Sequence, residues 1–216
     1  MRKGRKSRTY DASRRQLAAR ERREQVLQVA LRLFAERGFT ETTMNAIAAE
    51  AGIATPTLYA GFQSKRGILD ALLKRLVSGM PDGTPLVETA RARSVVAARD
   101  PRRVIARFVT DLGRVQESVI PLYQVLTHAA RTEPEVAEFL AAAQAYRFSN
   151  VATVARRLAE LGALRSHLSE DAAARTIWAI ASPEVRQMLL TFAGWSKARY
   201  QRWLREILAA SLLRPR

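Results

Sequence analysis

The chain has 216 residues, 48% apolar and 26% charged, with 36 Lys and Arg against 20 Asp and Glu, two His and no Cys. At roughly 100–200 residues per domain this is one or two domains with enough apolar material for a core, which excludes whole-chain disorder. The lack of Cys excludes disulfides, thiol chemistry and Cys-built zinc sites, and isolated His128 and His167 leave little for a His metal site or a Ser–His hydrolase. Neither metal nor cofactor is expected, and the composition argues against an enzyme. No run approaches the roughly 18–20 apolar residues of a membrane span, and the basic N-terminus lacks the apolar stretch of a signal peptide. A cytoplasmic protein without a membrane partner is expected.

The net charge of +16 implies attraction to polyanions. Residues 1–23 hold ten basic and two acidic residues, so a tenth of the chain carries half the excess. Residues 24–80 are nearly balanced, at +1. Residues 1–19 therefore read as a disordered basic arm, of the kind that commonly holds nucleic acid. A solubilising tail is the plain alternative.

The periodicity along the chain is helical. From Glu21, apolar Val26, Leu27, Ala30, Leu31 and Phe34 share one helix face up to Gly38, which suits a left-handed cap. Thr42 and Thr43 offer N-caps to a short helix with Met44, Ile47, Ala48 and Ala51 inward, stopped at Gly52. A third short helix is expected over about Thr55–Gly61, with Pro56 in its first turn. Ser64 caps a fourth, with Ile68, Leu69, Leu72, Leu73 and Leu76 buried. The Gly- and Pro-rich stretch from Ser78 to Pro85 marks a boundary, giving a first domain over 20–80 and a second over 81–216. Asp100-Pro101 starts a helix with Val104, Ile105, Phe108, Val109 and Leu112 on its apolar side, and Pro121 and Pro134 are expected to break the next stretch into pieces. A long helix is expected over about 135–161, another from Ser169, a start or kink at Ser182-Pro183-Glu184, and a last helix from Ser196. No strand alternation persuades, so the fold class is all-α.

Two short helices joined through Gly52 and flanked by longer ones describe a helix-turn-helix. The residues sharpen this reading: RREQVLQVALRLF, AERGF, then TTMNAIAAEAGIATPTLYAGFQSKRGILDALL. This resembles the N-terminal DNA-binding domain of the tetracycline-repressor (TetR) family over about residues 20–75. The resemblance implies a three-helix DNA-binding domain followed by a helical bundle for ligand binding and dimerisation. It implies that Thr43 bonds a backbone phosphate, that Thr55, Pro56 and Thr57 face bases and sugar-phosphate, and that Tyr59 and Lys65 meet phosphates. Leu58, Phe62, Ile47 and Gly52 look fold-defining. Plain alternatives stand beside these roles: Thr43 as a cap, Tyr59 as a core edge, Lys65 as a solvent charge. Two departures matter. Ala60 and Gly61 replace bulkier residues, and Ala54 replaces a frequent Ser, so that the helix depends on Thr55 for its cap. With no Arg, Asn or Gln in the recognition helix for a bidentate base contact, phosphate contacts and Arg14, Arg15, Arg20, Arg22 and Arg23 are expected to carry much of the affinity.

From Leu168 the sequence is similar to the C-terminal segment of one TetR-type subgroup, on Ile177-Trp178, Ser182-Pro183-Glu184, Gly194-Trp195-Ser196 and Tyr200-x-x-Trp203-Leu204. That similarity implies a homodimer built on the last helices, through Met188, Phe192, Trp195, Tyr200, Trp203, Leu204, Ile207, Leu208 and Leu212; packing within the subunit is the alternative. A small-molecule effector site is expected among residues 101–193, with Tyr123, His128, Arg131, Phe139, Tyr146, Phe148 and Trp178 as candidates. The Arg excess is compatible with an apolar or anionic effector, and equally with a general preference for Arg over Lys, 31 to 5. The whole reads as a sequence-specific regulator of transcription, a repressor that binds a palindromic site on double-stranded DNA and is released by a ligand. A sequence-nonspecific nucleic-acid-binding or chromosome-organising protein is the alternative.

Overall fold

A computed structural model describes residues 4–80 and 84–215; of the side chains before Gln16, only that of Arg14 is described. Among the described residues, ten α-helices run α1 (Gly4–Glu41), α2 (Met44–Glu50), α3 (Thr55–Phe62), α4 (Lys65–Ser78), α5 (Ala90–Val96), α6 (Pro101–Ala129), α7 (Pro134–Glu160), α8 (Glu170–Ile180), α9 (Pro183–Gln187) and α10 (Lys197–Leu212). A 3₁₀ turn (Leu86–Glu88) precedes α5 and a π turn (Met188–Phe192) follows α9. The described residues form no sheet, only one bridge between Leu164 and Leu213. None of the described helices is long and apolar enough to cross a membrane.

The chain divides into two compact units, one of residues 1–84 with 121–137, the other of 85–120 with 138–216. The return of 121–137 to the first unit has no signature in the sequence. Two further differences from the expected elements have local causes. The helix expected from Glu21 reaches back to Gly4, through residues read as a disordered arm. Arg, Gln, Ala, Leu and Glu dominate positions 14–25, all strong helix formers, and no Pro interrupts them. Pro121 lies inside α6 and does not end it. A helix-interior Pro costs about 3 kcal/mol; burial of Leu122 and Leu126 beyond it offsets this at roughly 1.5–3 kcal/mol each.

In the first unit α1 bends at Gly38 (φ 81), after which Thr42, fully buried, donates its hydroxyl to the Gly38 carbonyl at 2.7 Å. Val26, Leu27, Ala30 and Phe34 are buried on α1 as expected, with Leu33 beside them. Met44, Ile47 and Ala48 of α2, Leu58 and Phe62 of α3, and Ile68, Leu69 and Leu72 of α4 complete the core. Gly67 is required where α4 starts: a Cβ there would lie 1.9 Å from the Phe62 carbonyl oxygen.

Glu24 and Arg75 clamp α1 to α4 through two hydrogen bonds, of 2.8 and 2.7 Å, in a half-buried site. The Arg75 hydrogen bonds hold the Glu24 carboxyl below its usual range. A folded-state pKa that is depressed contributes stability above the unfolded value, near 4.3, and loses it as pH falls through the folded value. Glu24→Gln is therefore expected to cost about 1–2 kcal/mol at neutral pH, between the values for exposed and buried pairs. Urea unfolding as a function of pH checks this, with the gap between variant and parent closing as the medium turns acid.

The second unit packs α6 before Pro121, α7, α8 and α10 around Val104, Ile105, Val154, Leu158, Ile177, Tyr200, Leu204 and Leu208. Ser169, Ser182 and Ser196 each cap the helix after them by accepting the N–H three residues on. Tyr200, Leu204, Leu208 and Leu212, expected at the interface, are buried within their own unit. Spaced by four, they form the single inward stripe of α10.

Candidate nucleic-acid interface

The turn between α2 and α3 is set by Ala51 and Gly52. Gly52 takes φ 64, its N–H reaches the Ala49 carbonyl at 3.2 Å, and Ile53 N–H reaches that of Ala48 at 3.0 Å. These two bonds close α2 in the six-residue pattern that glycine permits and turn the chain into α3. Ala54 stands at the N-cap of α3 with no side-chain cap, and Thr55 is the first helical residue. Thr55 thus does not supply the expected cap, because a residue already inside the helix cannot bend its hydroxyl back to the following N–H groups. The Ala54 carbonyl accepts from Thr57 and Leu58.

Leu58 and Phe62, four apart, bury one side of α3. At 100° per residue the opposite side is Pro56, Thr57 and Ala60, all exposed, with Tyr59 48% exposed on one flank. Thr43 is exposed and caps α2, its Oγ1 accepting the Ala46 N–H at 3.0 Å. A hydroxyl that accepts still has its own proton to donate, so capping and phosphate contact are compatible. Asn45, exposed in the first turn of α2, was not singled out by the sequence; its position two residues after the cap is the signal that marks it.

Lys65 sits at the start of α4, but its ammonium turns to the C-terminal end of α1. It donates to the Phe39 and Thr40 carbonyls at 2.8 and 3.2 Å and lies 4.3 Å from the centre of the Phe39 ring. Two of its three N–H groups are so engaged. Arg23 closes the far end of α3, donating to the Gly61 carbonyl at 3.3 Å with its guanidinium 4.4 Å from the Phe62 ring. Arg22 donates to the Ala18 carbonyl one turn back. Arg14 and Arg20 are exposed, and the side chain of Arg15 lies outside the described residues.

The effector candidates divide between the units, and neither holds all of them. Tyr123, His128 and Arg131 fall in the first; Phe139, Tyr146, Phe148 and Trp178 fall in the second. Within the second, the Arg147 guanidinium lies 4.5 Å from the Trp178 ring and donates to its carbonyl at 2.9 Å, and Arg175 lies over Phe148. Phe139 is buried, and the Tyr146 hydroxyl accepts the Leu86 N–H. A cleft of about 630 Å³ lies in the first unit between the end of α1 and the Pro121–Thr132 stretch; His128 alone of the seven lines it. Of the interface candidates, Met188 is 53% and Phe192 80% exposed, and Trp195, Trp203 and Ile207 are half-buried.

An all-helical chain whose second and third helices meet in an N-terminal helix-turn-helix, with a separate helical unit beyond, defines a helix-turn-helix protein of two domains. Residues 26–72 match the family model of bacterial regulatory proteins, tetR family. The HTH-type transcriptional repressor KstR2 of Rhodococcus jostii (strain RHA1) is 32% identical over 107 residues, 48% of this chain and 48% of that one. The chain thus spans about half the length of this relative. A candidate transcriptional regulator from Saccharomonospora viridis, crystallised in complex with choline, superposes with TM-score 0.64 at 21% identity, over 90% of this chain and 99% of that one. SmeT, in complex with triclosan, superposes with TM-score 0.70 at 18% identity, over 90% and 92%. These last two likenesses are of fold.

Proposed function

We propose that the protein is a site-specific DNA-binding repressor of transcription, acting as a homodimer on a palindromic operator and released by a small-molecule effector. The observation that carries this is the exposure of Thr43 at the start of α2 together with Pro56, Thr57, Tyr59 and Ala60 on α3, the two helices of the turn. Such an exposure is what a recognition helix offers to the major groove, with the first turn of α2 turned to the backbone. Thr43, Tyr59 and the third N–H of Lys65 bind phosphate, Thr55, Pro56 and Thr57 face bases, and Arg14, Arg15, Arg20, Arg22 and Arg23 add charge along α1. The protein works in the cytoplasm, where its DNA is.

Dimerisation uses Met188 and Phe192 with Trp195, Trp203 and Ile207, since large apolar groups left bare on one subunit are what a second copy covers. Phe192→Arg is expected to raise the dimer dissociation constant about thirtyfold, the effect of losing one interface anchor. Sedimentation over a range of concentrations reads it. The effector acts by population shift, favouring a spacing of the two DNA-binding heads that no longer fits the operator; the complexes of the two structural relatives with choline and with triclosan support a ligand of that size.

Nuclease footprinting against excess random duplex tests the proposal. A protected stretch with two half-sites about one helical turn or a near multiple apart, persisting under competition, is the expected result. Binding that random duplex abolishes would favour a nonspecific nucleic-acid protein instead.

A further inference from the structure

The recognition surface, if it reads DNA as proposed for this fold, has little to read it with. Thr55–Phe62 is TPTLYAGF, with no Asn, Gln, Arg, Lys, Asp, Glu or His. None of its side chains can therefore make the bidentate pairs that identify guanine or adenine, and none carries the carboxylate that singles out the cytosine amino group. What faces outward, opposite buried Leu58 and Phe62, is the Pro56 ring, the Thr57 methyl and hydroxyl, and the Ala60 methyl. Gln63 is exposed but stands past the C-terminal end of α3, while a recognition helix reads with its N-terminal residues. Three apolar groups on one face need an apolar counterpart, and on major-groove base edges the C5-methyl of thymine is the group that supplies it.

We infer that each operator half-site presents thymine methyl groups to Pro56, Thr57 and Ala60, and that these methyls, not hydrogen-bonded base pairs, are the principal direct readout. The partner is thus a duplex whose half-sites carry A·T pairs oriented with thymine towards α3. The Thr55 and Thr57 hydroxyls bond without strong base preference, so they add affinity more than identity.

The test uses the full-length protein and a half-site obtained by selection, with each thymine replaced in turn by uracil. That exchange removes the methyl and leaves every hydrogen-bonding group in place. Loss of one buried methyl is expected to weaken binding about fourfold, and its symmetric pair about fifteenfold. Thr57→Ser, which deletes the protein's methyl but keeps the hydroxyl, is expected to abolish the uracil effect at one position, and Thr57→Val to retain it. A selected half-site without thymine, or one indifferent to uracil at every position, overturns the inference and leaves the proposed regulator intact. Failure to select any site overturns both.

Discussion

Deletion of residues 1–20 is expected to flatten the salt dependence of DNA binding steeply while leaving the DNA-binding unit folded. The deleted stretch holds Arg2, Lys3, Arg5, Lys6, Arg8, Arg14, Arg15 and Arg20 against a single acid, Asp11. Each phosphate contact contributes about 0.9 to the slope of log affinity against log salt, through release of condensed counterions. If half of these residues meet phosphate in each subunit of a dimer, the slope falls by about 7. Between ~50 and ~200 mM salt, the full chain then loses ~10⁴ more affinity than the truncated one. The cut falls before Val26, where the buried face of α1 begins, so the fold stays in place and circular dichroism confirms it. Fluorescence anisotropy titrations at several salt concentrations provide the measurement, and an unchanged slope removes the arm from the interface.

Phe34→Ala is expected to destabilise the first unit by about 3–5 kcal/mol. Phe34 is fully buried and its ring stands 5.4 Å from that of Phe39, across the bend at Gly38. Removing it leaves a cavity where the two segments of α1 are joined. The backbone carbonyls of Phe39 and Thr40 that anchor Lys65 depend on that bend, so the start of α4 loosens with it. A unit of this size has only about 5–15 kcal/mol of net stability, and so much of it is lost that α2 and α3 cease to be held for docking. Denaturant unfolding and hydrogen exchange in α2 and α3 check it. A loss under about 1 kcal/mol would mean that the Phe34 site collapses without the usual cavity cost.

The features legible in the sequence are those whose causes are local. Ser64, Ser169, Ser182 and Ser196 announce helix starts because a cap acts on the N–H three residues ahead. Gly52 marks a helix end and Gly38 a bend within α1, because few other residues take their φ angles. Leu58 and Phe62 give the inward side of α3, and with it the outward side proposed to read DNA. What the sequence hides depends on distant partners. Glu24 and Arg75 are 51 residues apart, and nothing in either neighbourhood signals their pairing. Lys65 looks like a free cation until α1 brings two carbonyls to it. The apolar load of α10 suggests an interface, yet periodicity cannot say whether its stripe meets its own subunit or another. Tyr200, Leu204, Leu208 and Leu212 went to the core, and Phe192, on the preceding π turn, was left outside.

Selection of bound duplexes from a random-sequence pool, with purified full-length protein at near-physiological salt, tests the central claim most directly. Enrichment of a palindrome with two half-sites is the expected result, since two copies of α3 related by a two-fold axis read two symmetric half-sites. No enrichment, together with tight and salt-sensitive binding to every duplex, would contradict it, and would leave Thr55, Pro56 and Thr57 without a role in recognition.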